Sequence, residues 1–139
     1  MLARFSLFDL WKVAGVFLGS QFAYALWRVR RELRYRAAGQ PSWVPPADYL
    51  NFLSMLVVAV CVFALPSVGV VPDRFAWTAF GLALILALGF CMALWGHYQL
   101  FTPAIVRTHY YFPRQEKVAV VTVGLISGLY LAAWIMMLS

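Results

Sequence analysis

Four stretches of the chain are mostly apolar over about 20 residues, the length a helix needs to cross the hydrocarbon core of a bilayer. They run from Phe8 to Trp27, Tyr49 to Val71, Phe75 to Leu100 and Val118 to Leu138. The pattern predicts an all-α polytopic membrane protein, with four transmembrane helices in one antiparallel bundle. The last three stretches carry almost no charge. The first contains Asp9, Lys12, Ser20 and Gln21 and stands where a signal peptide would stand. No small-residue cleavage site follows it; "RVRRELRYR" does, and such a block stops transfer. The first stretch is therefore expected to be retained as a span.

Local signals mark the ends of these helices. Ser6 and Asp9 make an S-x-x-D capping box that satisfies orphan amides and sets a carboxylate at the positive end of the first helix. Trp11 and Trp27 are 16 residues apart, about 24 Å along a helix, a separation that suits anchors at opposite interfaces. The helix is expected to continue into water through Ala38, with Gly39 and Pro41 as its stop. Asp48 is placed to cap the second span after "PP", Asp73 the third, and Pro113 suits the first turn of the fourth. Pro66 should kink the second span near one end.

Composition agrees with this pattern. The chain is 64% hydrophobic and 12% charged, with mean hydropathy +0.80, whereas a soluble domain is about half apolar and a quarter charged. Its 139 residues fit one bundle and leave no room for a separate soluble domain. The formal charge of +6 would suggest nucleic acid in a soluble protein. Here the basic residues flank apolar spans, where they fix topology and meet anionic headgroups. Arg28, Arg30, Arg31, Arg34 and Arg36 lie in the loop 28–48, and Arg107, Arg114 and Lys117 at the loop 101–117. Only Arg4, Lys12 and Arg74 fall on the other side. Eight against three puts both loops in the cytoplasm and both termini outside, in a bacterial inner membrane. Cys61 and Cys91 sit in apolar runs, where free cysteine behaves as a small hydrophobe.

The first and fourth spans share a small-residue rule. Gly15, Gly19 and Ala23 follow one another at intervals of four, as do Gly124, Gly128 and Ala132. Residues four apart lie on one helix face, and small residues let backbones approach where lipid gives little hydrophobic drive for association. Each groove either receives a helix of the same bundle or seats another subunit. The fourth-span groove is the one expected to face outward, because the first span carries Ser20 and Gln21, which need protein partners. The third span adds a line of Ala79, Ala83, Ala87 and Cys91.

Chemistry is sparse. Gln21 and Ser20 are mid-membrane polar groups suited to helix cross-linking. No Asp or Glu falls near the centre of any span, where coupled transporters place an ionisable group. His97, Tyr98, Gln99, Arg107, His109, Tyr110 and Tyr111 gather near one interface, as anchors or as a site for a lipid headgroup or quinone ring. Haem ligation by His97 and His109 is disfavoured, and no cofactor or metal is expected. There is no G-x-S-x-G elbow, H-E-x-x-H, C-x-x-C or phosphate-cradling loop, and no nucleic-acid module surrounds the basic loop. The expected role is non-enzymatic: an accessory or assembly subunit acting through helix contacts with other membrane subunits or copies of itself. The alternatives are an oligomeric channel or uncoupled transporter, and a quinone- or lipid-binding membrane subunit.

Overall fold

The computed structural model describes residues 6–39, 44–97 and 114–138. Its helices are α1 (Leu7–Ala37), α2 (Pro46–Ser67), α3 (Asp73–His97) and α4 (Arg114–Leu138), and no strand occurs among the described residues. The last three are each long and apolar enough to cross a membrane. α1 is the longest at 31 residues, but Lys12, Gln21 and its glycines dilute its apolar stretch, and it falls outside that group.

The ends of α1 form as the local signals require. The Ser6 side chain accepts from the Asp9 amide at 3.2 Å, and the Asp9 carboxylate accepts from the Ser6 amide at 3.2 Å, so two orphan donors are satisfied reciprocally. At the other end Ala38 is the C-cap, and Gly39 takes the left-handed conformation at φ +71°. α2 ends in the same way: the Gly69 and Val70 amides donate back to the Pro66 and Leu65 carbonyls, with Gly69 at φ +70°, the paired bonds of a Schellman stop.

The start of α2 departs from expectation. Its N-cap is Pro45, with no side-chain cap, and Asp48 lies inside the first turn. The orphan amide of Ala47 is taken instead by the Glu116 carboxylate of α4, at 2.9 Å. Asp48 is thereby left to bond Arg28 of α1. Asp73 likewise is the first residue of α3 itself.

Pro66 acts through a change of helix type. Over Val58–Ala64 α2 opens into a π-helical stretch. Pro66 has no amide to give the Val62 carbonyl four residues earlier, and its ring crowds that carbonyl. The indole N–H of Trp11 donates to it at 2.8 Å, so α1 supplies the bond that α2 lost.

α3 is the centre of the molecule. Its buried apolar residues are Ala76, Ala79, Ala83, Leu86, Phe90 and Ala93, with Phe80 beside Ala79; the first six alternate steps of three and four and so stay on one face. The evenly spaced line through Ala79, Ala83, Ala87 and Cys91 does not stay there, because each step of four advances about 40° beyond a full turn at 3.6 residues per turn. Ala79 and Ala83 are buried, Ala87 is half-buried, and Cys91 is exposed. Leu10 and Ala14 of α1 and Val58 and Val62 of α2 join this face near one end of the bundle. Tyr24, Ala47, Phe90 and Ala119 meet near the other.

Candidate functional site

A polar seam joins α1 to α2 and α3. The Gln21 amide Nε2 donates to Asn51 Oδ1 at 3.1 Å and to Ser54 Oγ at 2.9 Å. The Ser54 hydroxyl in turn donates to the Ala83 carbonyl at 2.7 Å. With its proton committed to α3, Ser54 can only accept from Gln21, and this fixes which way the amide faces. Gln21 Oε1 is buried with no hydrogen-bond partner among the described residues.

Two helical turns further along α1, about 10 Å at 1.5 Å per residue, Arg28 meets Asp48. Its Nε and Nη2 donate to Asp48 Oδ2 at 3.1 and 2.9 Å. Glu32 lies 3.7 Å from Nη1 on the other side. The side chains of Arg28 and Asp48 are 7% and 10% exposed, so the guanidinium is a buried, paired cation. Sequence patterning marks Arg28 only as part of a basic loop. Its real setting depends on Asp48, 20 residues away, and no helical spacing reveals that pairing. Asn51 and Ser54 escape notice for the same reason. The one hint is that Asp48, Asn51 and Ser54 recur every three residues along an otherwise apolar helix.

Ser20 is separated from this seam. It is exposed and donates to the Phe17 carbonyl of its own helix at 2.7 Å. At the start of α1 Lys12 pairs with Asp9 at 3.3 Å, both well exposed, while Lys12 lies over the Phe8 ring.

The small-residue positions divide sharply by their surroundings. Among the described residues, a Cβ on Gly19, Gly124 or Gly128 would meet no heavy atom of another helix within 4 Å, and one on Gly15 would reach only Phe63 Cζ at 4.0 Å. Ala23 and Ala132 are exposed as well. Close helix approach is made instead by two glycines of α3. A Cβ on Gly89 would lie 2.6 Å from Val123 Cγ1, and one on Gly81 would overlap the Tyr130 phenol. The Tyr130 hydroxyl donates to the Thr78 carbonyl at 3.0 Å, which pins α4 to α3. α4 thus packs through Glu116, Val123, Ser127 and Tyr130 and turns Gly124 and Gly128 away.

The interfacial cluster falls largely outside the described residues: Tyr98, Gln99, Arg107, His109, Tyr110 and Tyr111 all lie there, and His97 is the last residue of α3. Among the described residues no group of three His, Cys, Asp or Glu side chains is placed to hold a metal ion. Comparison of the chain with protein-family models, curated proteins and solved structures gave no match.

Proposed function

We propose that this chain is a small four-span membrane subunit that works through lateral helix contacts within a larger assembly of the bacterial inner membrane, with both termini outside. One observation carries the reading. The glycine face of α4 has no neighbour among the described residues, on a helix whose membrane-length window is only 6% buried. Within this chain α3 and α4 come together through glycine, at Gly81 and Gly89. A second glycine pair left open on α4 fits the same use toward another chain.

The span assigned to α1 is supported by its course along α2. Trp11 bonds α2 near its end, Gln21 bonds it at the middle, and Arg28 bonds it at its start, so the two helices run antiparallel over the membrane-length part of both. A channel formed between several copies would need polar side chains turned outward. Gln21 is buried, with its Nε2 bonded to Asn51 and Ser54 inside the protomer, and the exposed Ser20 hydroxyl is bonded to its own helix, which weighs against it.

Purification in a gentle detergent, followed by native mass measurement, tests the reading. Larger particles containing other membrane proteins in fixed proportion are the expected result. A lone protomer under conditions that preserve known membrane assemblies would refute it.

A further inference from the structure

We propose that the groove between α1 and α2 binds an anionic phospholipid, with its phosphate on Arg36 and an acyl chain in the trough past Phe52 toward Gly19. The groove consists of two hollows that share Phe52 as a wall. The larger, about 640 Å³, is wholly apolar, and Gly15 and Gly19 form part of its lining. The smaller, about 230 Å³, continues between Ala25 and Val29 of α1 and Val44 before α2, and ends at Arg28, Glu32, Arg36 and Asp48.

The depth comes from the glycines, since Gly19 places no side chain in the trough and no described residue comes within 4 Å of where its Cβ would be. From Gly15 to Arg28 the trough follows α1 for about 20 Å at 1.5 Å per residue. One leaflet contributes about 15 Å of hydrocarbon, half of the core thickness. A single chain descending from the Arg28 level would therefore end beside Leu18 and Gly19.

The charged end selects the head. Arg28 is already shared between Asp48 and Glu32. Arg36 lines the mouth and is exposed, and no ion pair engages it among the described residues. Helical side chains lean toward the helix N-terminus, which on α1 brings the Arg36 guanidinium back toward the bilayer. Residues 28–36 hold five arginines against Glu32 alone, a field that draws anionic lipid at about 1 kcal/mol per basic residue.

A second copy of the chain fits this groove less well. A helix lying in it would have to offer a carboxylate to Arg36. Of the five acidic residues, Asp48 and Glu32 serve Arg28, Glu116 caps α2 and Asp9 holds the capping box. That leaves Asp73, at the start of α3 and so at the opposite end of the bundle.

Native mass spectrometry of the detergent-solubilised full chain tests the proposal, with phosphatidylglycerol and phosphatidylcholine of matched acyl chains as probes. The wild-type protein should retain phosphatidylglycerol preferentially. Arg36→Gln should weaken that retention about fivefold, the equivalent of one basic residue, and should weaken retention of phosphatidylcholine less, because its choline offsets the phosphate charge. Arg30→Gln, an exposed arginine outside the groove lining, should weaken it less than Arg36→Gln. Gly19→Phe should fill the trough and release both lipids without lowering the melting temperature. Equal retention of the two lipids, or equal effects of the Arg30 and Arg36 variants, would overturn the site. A dimer that Gly19→Phe dissociates would assign the groove to a second chain and overturn it as well.

Discussion

Arg28 shows how much one residue's meaning depends on its setting. Beside an apolar stretch it reads as a topology signal, yet it is buried against Asp48 with Glu32 behind it. Removing one partner of a buried ion pair costs far more than replacing both with apolar groups. Arg28→Met should thus lose about 3 kcal/mol of stability by leaving the Asp48 carboxylate buried without its guanidinium. The double variant Arg28→Met with Asp48→Leu should recover most of that loss. Melting temperatures of the single and double variants in one detergent check this, and a double variant less stable than the single would refute it. The residue-scale signals that sequence does expose are those closed within a single turn. Ser6 with Asp9 and Gly39 as a stop are read correctly because their partners lie three residues away or less. Gln21 is recognised as a cross-linker, but its acceptors at Asn51 and Ser54 depend on how two helices are set against one another.

Helix registers follow from such cross-bonds. Trp11 restores a bond to the Val62 carbonyl that Pro66 withholds from its own helix, and so ties the N-terminal end of α1 to the π-helical stretch of α2. Trp11→Phe should cost about 1 kcal/mol, the worth of one ordinary hydrogen bond. Adding Pro66→Ala, which supplies an amide within α2, should offset most of that loss. Thermal melts of the two variants measure the coupling; additive effects would show that the indole does not stand in for the proline's missing amide. Legibility at this scale is uneven. The existence and approximate ends of α2, α3 and α4 follow from run length and hydropathy. Which face each turns inward does not: α4 is apolar all round, and its inner face is settled by Val123 and Tyr130 fitting over Gly89 and Gly81. Four-residue spacing draws attention to Gly124 and Gly128, while the glycines used within the chain sit eight apart on α3.

In the whole molecule, Arg28, Asp48 and Glu116 gather where α1 ends and α2 and α4 begin, at the end of the bundle that holds the basic loop. Positive charge is kept on the cytoplasmic side of membrane proteins, so reporter fusions within residues 30–45 should report the cytoplasm and fusions at the C-terminus the outside. A cytoplasmic C-terminus would mean that α1 does not cross. The proposed role as a subunit rests on the open glycine face of α4, and one comparison tests that role most directly. Particle mass and melting temperature are measured together on wild type and on Gly124→Leu/Gly128→Leu. Since neither glycine has a neighbour among the described residues, the variant should keep the wild-type melting temperature while its complex falls to the protomer mass. A variant that melts lower yet keeps the full assembly mass would contradict the role given to α4.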